Sequence, residues 1–174
     1  LINAKQAMVD PTGISEAVHK DTIYITVVDK NRIGVSLIYS VFHGFGSGIA
    51  TPNYGVLFQH RGAGFTLEEG HPNEAAGGKR PRHTIIPGIV RKSGRVLMPF
   101  GVMGGAYQPN GHARLISNMV DFDMSIQEAI DAPRSFSDNG TLKVERGYSD
   151  DVRKRLTNLG HTVGVPGTPI GGAQ

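Results

Sequence analysis

The chain has 174 residues, 39% of them hydrophobic, with a net charge of +3 and no cysteine. That length suits one domain or most of one, with enough apolar material for a core. Disulfide and thiol chemistry are excluded, so the chain carries no mark of its redox compartment. A sequence pI near 9.3 comes from scattered basic residues, and the densest run, "GGKRPRH", is too short to be a nucleic-acid footprint. No apolar run approaches the roughly 20 residues of a membrane span.

Residues 1–20 read as a short helical end followed by a Pro/Gly/Ser linker, and neither Leu1 nor the closing "PIGGAQ" looks like a natural chain end. Thr22–Asp29 is expected to be a strand, rich in β-branched and aromatic residues, and Ile33–Tyr39 its hairpin partner across "DKNR". A glycine-rich loop, "FHGFGSG", follows. A short strand is predicted at Gly55–His60, then a polar loop over Arg61–Arg80. "HTIIPGIVRKSGRVLMPFGVMGG" reads as a second hairpin turning at Lys92–Gly94.

The next segment, "AYQPNGHARLISNMVDF", predicts a helix capped by Asn110. "SIQEAIDAP" predicts another, with Ser125 and Glu128 as a capping box and Pro133 as its stop. Thr141–Arg146 is a predicted strand. "SDDVRKRLTNLG" is a third helix with Ser149 at its N-cap and Gly160 at its end, and "HTVGV" begins a last strand. Strands followed by helices in this order indicate an α+β layered domain. Met98, Met103 and Met119 read as core.

Hairpin geometry places Thr22 opposite residue 39 if the turn centres on Lys30–Asn31, or opposite residue 40 if a three-residue loop centres on Asn31. In both cases the Ser40 hydroxyl lies beside that of Thr22. A bare hydroxyl is a weak nucleophile and needs a base, yet no His/Asp pair has a triad arrangement. Cutting the chain before the threonine would supply one, because the freed α-amine, with a pKa of about 8, can take the proton. Thr22 stands at a linker–strand junction, where a cut leaves the sheet intact. Spacing alone favours an ordinary threonine at a strand start, where threonine is common.

The seven histidines show no metal-ligand spacing. His43 and His83 are candidates to line a pocket, His112 and His161 for surface or packing positions. "GFGSG" and "GVMGG" match neither phosphate-binding pattern. "DDVRKR" reads as a solvated helix face, and Arg134 suits a salt bridge as well as a substrate contact.

Taken together, "DTIYITVVDK", "YSVFHGFGSGI", "KRPRHTIIPGIV", "GVMGG" and "AIDAPR" resemble the small-subunit half of the γ-glutamyltranspeptidase (glutathione hydrolase) family, over the whole of Leu1–Gln174. The resemblance implies an N-terminal nucleophile hydrolase with a four-layer αββα sandwich completed by a large subunit from the same precursor. Residues 1–21 would be the large-subunit tail and processing linker, and 22–174 the small-subunit catalytic region, truncated at its C-terminus. It implies self-cleavage between Asp21 and Thr22, Thr22 as nucleophile, and Ser40 as its hydrogen-bonding neighbour. Gly104 and Gly105 would supply backbone N–H groups to the oxyanion hole. His83 and Thr84 fall where many members carry two serines.

The departures narrow the substrate. Members acting on γ-glutamyl groups use Asn, Gln and Asp to hold the glutamyl α-amino and α-carboxylate groups, and the matching positions here are Phe42, Arg61 and Gly64. Losing the carboxylate and gaining Arg61 disfavours an α-ammonium and favours an acyl group bearing only a carboxylate. The pattern is closer to the γ-glutamyltransferase-like and cephalosporin acylase-like branch. The loop "TLEEGHPNEAAGG" lacks the longer lid of some members, which favours water or larger substrates over an amino acceptor. The expected activity is thus hydrolysis or acyl transfer of γ-glutamyl (glutathione-like) or related acyl amides through an acyl-enzyme, with no cofactor and no metal. A dimer of heterodimers is compatible with the family. The alternatives are an uncleaved relative that only binds, or a gene fragment without activity of its own.

Overall fold

In the computed structural model, which describes residues 22–42 and 44–174, two antiparallel hairpins come first. Strand β1 (Thr22–Val28) pairs with β2 (Gly34–Ser40) in a register that sets Thr22 opposite Ser40 and Val28 opposite Gly34. The turn between them is fastened by Asp29, whose Oδ1 accepts from the N–H groups of Asn31 (2.9 Å) and Ile33 (2.8 Å). Thr22, Tyr24 and Ile38 are buried on one side. On the other, Ile23, Ile25 and Val27 stand opposite Tyr39, Leu37 and Val35, and all six are exposed.

Strand β3 (Gly88–Lys92) pairs with β4 (Arg95–Phe100) across Ser93–Gly94, with a register shift at Val90/Arg91. Ser93 and Gly94 both have positive φ, as a two-residue hairpin turn of the right twist requires. The chain runs on through Gly101 into β5 (Val102–Met103), which pairs with β9 (Gly172–Ala173). Gly101 lets the first hairpin in: a Cβ there would stand 2.2 Å from a ring carbon of Tyr24. The Tyr24 hydroxyl lies 2.9 Å from Ser36 Oγ, which donates to the Phe100 carbonyl (3.2 Å), so the buried edge of β1–β2 is tied to the β4–β5 junction.

A 3-10 turn at Gly105–Tyr107 leads into α1 (Gln108–Val120), followed by α2 (Ile126–Asp131). Leu115 of α1, Ala129 of α2 and Phe100 of β4 form one apolar cluster, bordered by Met98 and Met119. Val102, Tyr107 and Ile170 form a second. Strands β6 (Ser135–Asp138) and β7 (Thr141–Val144) make a hairpin, and β8 (Thr162–Gly164) joins β7 in parallel after crossing over through α3 (Asp150–Asn158).

Several sequence expectations hold at the level of single caps. Ser125 and Glu128 make both bonds of the capping box. Ser149 caps α3 by accepting from Val152 N, and Gly160 follows the last turn. Three need correction. The cap of α1 is Tyr107, without a side-chain bond, because the 3-10 turn starts the coil early and puts Asn110 inside the first turn. No strand forms at Gly55–His60, where only an isolated bridge joins Ala50 and Leu57. The short strands β6 and β9 were not expected. Strands and helices mix as the α+β reading requires.

Candidate active site

The end of the first hairpin gathers hydroxyl groups. Pairing puts Thr22 and Ser40 side by side, and their hydroxyl oxygens lie 3.1 Å apart. Ser40 Oγ also accepts from Phe42 N at 3.0 Å, a tight turn that throws the chain off the strand. Phe42 itself is buried with φ at +81°, an uncommon conformation for a bulky side chain that costs about 1–3 kcal/mol.

Its ring supports a cation. The Arg61 guanidinium carbon lies 4.3 Å from the centroid of Phe42, and His60 packs its ring 5.3 Å from the same centroid. Arg61 opens a one-turn 3-10 helix (Arg61–Gly64) and is only 6% exposed. One terminal nitrogen donates to Thr84 Oγ1 (3.1 Å) and the other to Ser40 Oγ (3.3 Å). Thr22, Ser40, Phe42, Arg61 and Thr84 therefore form one connected, largely buried cluster. Chemically it offers two adjacent hydroxyls under the field of a permanent positive charge.

His83 stands beside this cluster but is exposed. Its Nδ1 accepts from Ile85 N at 3.2 Å. Partial burial first, and then the charge of Arg61, hold its pKa below the usual histidine value, favouring the neutral ring. Gly64, where a carboxylate was noted as missing, is buried, and its carbonyl accepts from the Asn73 side chain. Asp21 and His43 lie outside the described residues.

Gly104 and Gly105 follow β5. Gly104 has φ of +137°, and a Cβ on it would meet the Ile170 carbonyl oxygen at 2.8 Å and Gly171 Cα at 3.1 Å, so no other residue fits. Behind it, Ile170 N donates to Glu145 Oε1 (3.0 Å), and Glu145 in turn pairs with Arg134 at 3.1 Å. Arg134 thus makes the structural ion pair that was one of its two readings.

Gln108 ties β5, the strand that leads to the glycine pair, to Thr84 of the hydroxyl cluster. It is fully buried at the start of α1, and with its amide turned to satisfy both neighbours it donates to the carbonyls of Thr84 (2.6 Å) and Val102 (3.2 Å). Sequence reasoning missed it, since a glutamine before a proline at a helix start carries no sign of burial. Among the described residues no three His, Asp or Glu side chains gather as a metal site, and no helix is long and apolar enough to cross a membrane.

Two adjacent hydroxyls at a strand end suit acyl transfer, in which a hydroxyl oxygen attacks a carbonyl carbon. The family model for gamma-glutamyltranspeptidase matches residues 1–174, and the chain belongs to that family. It is 36% identical over 151 residues to the oxamate amidohydrolase proenzyme of Klebsiella pneumoniae, covering 83% of this chain and 29% of the relative. Identity is 35% over 159 residues to the glutathione hydrolase-like YwrD proenzyme of Bacillus subtilis, covering 88% and 30%. The chain therefore spans under a third of these relatives. Cephalosporin acylase from Bacillus halodurans superposes with a TM-score of 0.81 at 36% identity, over 92% of this chain and 32% of that one. An acivicin-inhibited gamma-glutamyltranspeptidase gives 0.77 at 27% identity, over 86% of both chains.

Proposed function

We propose that this chain is the nucleophile-bearing part of a self-processing amidohydrolase that works through an acyl-enzyme. The observation that carries the reading is Thr22 at the head of β1 with its hydroxyl 3.1 Å from that of Ser40. Cleavage between Asp21 and Thr22 frees the Thr22 amine. That amine takes the Thr22 hydroxyl proton as Oγ1 attacks the substrate's amide carbon, then passes it to the departing amine as the C–N bond breaks. Water attacks the resulting ester, one of its protons returns to Thr22 Oγ1, and the acid is released. The N–H groups of Gly104 and Gly105 would hold the oxyanion, a contribution of roughly 3 kcal/mol for one such donor.

The substrate is an amide whose acyl group carries a carboxylate and no ammonium. Gly64 has no side chain to pair with an ammonium, the Phe42 ring is already covered by the Arg61 guanidinium, and that guanidinium puts positive charge at the same place. Among the relatives, the names oxamate amidohydrolase and cephalosporin acylase fit an acyl group other than γ-glutamyl, while the glutathione hydrolase-like proenzyme keeps γ-glutamyl amides as the competing substrate class.

The partner is a large subunit from the same precursor, and with it the strands would complete an αββα sandwich. The exposed apolar face of β1–β2 supports this, because six contiguous apolar side chains on one sheet face mark a surface that another element covers.

The test is intact mass and N-terminal sequencing of the full-length protein. A break before Thr22, abolished by Thr22→Ala, is the expected result. A chain still uncut after long incubation at neutral pH would overturn it in favour of an uncleaved relative that only binds.

A further inference from the structure

We infer that Gln108 is a positioning residue that sets the length of acyl group the site accepts. The inference rests on the reading of Arg61 as the group facing a substrate carboxylate and of Gly104 and Gly105 as oxyanion donors, and it concerns the distance between them. A side-chain amide has two protons to donate. Gln108 gives one to the Thr84 carbonyl (2.6 Å) and one to the Val102 carbonyl (3.2 Å). The two carbonyls belong to different halves of the site. Thr84 Oγ1 accepts from Arg61 Nη1 at 3.1 Å, so holding the Thr84 main chain holds one anchor of the guanidinium. Val102 opens β5, the strand that runs directly into Gly104.

The bridge is rigid at each point. Gln108 is fully buried, so releasing either carbonyl would leave it without water to turn to. Its helix sits hard against β5, because a Cβ on Gly111 would stand 2.5 Å from Val102 Cγ1 and 2.7 Å from Tyr107 Cε1. Gly104 is stopped on its far side by the Ile170 carbonyl, and Ile170 N is itself held by Glu145. Thr84 and Arg61 are buried too, with the guanidinium stacked 4.3 Å over Phe42. The span from the glycine pair to the Arg61 charge is therefore fixed. A substrate whose carbonyl lies at the glycines brings its carboxylate to Arg61 only when the chain between them has the matching length.

The experiment uses the full-length precursor, as wild type and as Gln108→Leu, which removes both bonds. It measures kcat/KM per molecule carrying a free Thr22 amine on malonyl, succinyl, glutaryl and adipyl anilides. Wild type is expected to prefer one length over its neighbours by about tenfold or more, the usual worth of one methylene, and Gln108→Leu to flatten the series to within about threefold. A core residue without this role would alter stability and leave the shape of the series alone. A variant that keeps the wild-type preference, whether or not its rates fall uniformly, would overturn the inference by itself. So would a wild type that hydrolyses all four equally, or a folded variant that no longer cleaves itself, since the amide would then serve the nucleophile. If Gln108→Leu does not accumulate as folded protein, Gln108→Glu, which keeps the shape but at most one donor, is judged by the same outcomes. Failure of both to fold would reduce Gln108 to a core residue. A processed wild type that takes γ-glutamyl anilide and none of the four would sink the substrate reading and this inference together.

Discussion

Glu145→Ala should loosen the wall behind Gly104. The Glu145 carboxylate accepts from Ile170 N (3.0 Å), from Arg134 N (2.8 Å) and from the Arg134 guanidinium (3.1 and 3.2 Å). Alanine leaves two backbone N–H groups and a cation without this acceptor. Side-chain exposures of 17% and 15% let some water in, so each loss takes the low end of its range. Taking about 1 kcal/mol for each N–H and about 1 kcal/mol for the ion pair gives a destabilisation of about 3 kcal/mol. Glu145→Gln keeps one carbonyl oxygen and should cost about half as much. Urea denaturation of the full-length precursor reads the totals, and amide exchange over residues 170–173 reads the local effect. Both variants within about 0.5 kcal/mol of wild type, with unchanged exchange at Ile170, would refute the bracing role.

The remaining expectations concern pH and backbone. Burial pushes the Glu145 carboxyl up, but the N–H groups of Ile170 and Arg134 and the Arg134 charge outweigh it, so its pKa is lowered in the fold. Burial likewise lowers the His112 pKa, against a smaller opposing contribution from Ile86. In both cases the unfolded chain takes up the proton first as pH falls. Stability is then complete above the unfolded values of 6.5 for His112 and 4.5 for Glu145, and is lost in two stages below them. Thermal midpoints at about pH 8, 5 and 3 would show both stages, and a flat profile would contradict them. Arg61→Gln should raise the His83 pKa toward its free value, seen by NMR titration of the ring proton, while Arg61→Lys should not. Gly104→Ala should cost at least about 2 kcal/mol through its φ and its clash with Ile170 O, read by denaturation, and should abolish amide hydrolysis.

What the sequence disclosed was local. The pairing of Thr22 with Ser40 follows from the Asp29–Arg32 turn, and the caps of α2 and α3 from side chains three residues from their targets. What it hid was carried by distance or brevity. Arg61 reaches Ser40 from 21 residues away, across a loop without periodicity. The four residues of β6 and two of β9 are too short to show alternation. Gln108 satisfies two carbonyls that nothing in its neighbourhood announces. Asn110 failed as a cap because a turn of tighter helix, invisible in composition, had already begun the coil.

The left-handed backbone at Phe42 also bears on how such a site changes over time. Asparagine, the residue the resemblance places there in γ-glutamyl-acting members, tolerates this conformation better than almost any other side chain except glycine. Phenylalanine does not, yet the φ is +81°. The backbone therefore follows a path that asparagine would hold with less strain, and the cation stacked on the aromatic ring offsets part of that standing cost. Replacing Phe42 by asparagine would relax the backbone and remove the platform in one step. A change at Phe42 should thus shift backbone strain and the placement of Arg61 together, so the two positions are expected to vary as a pair.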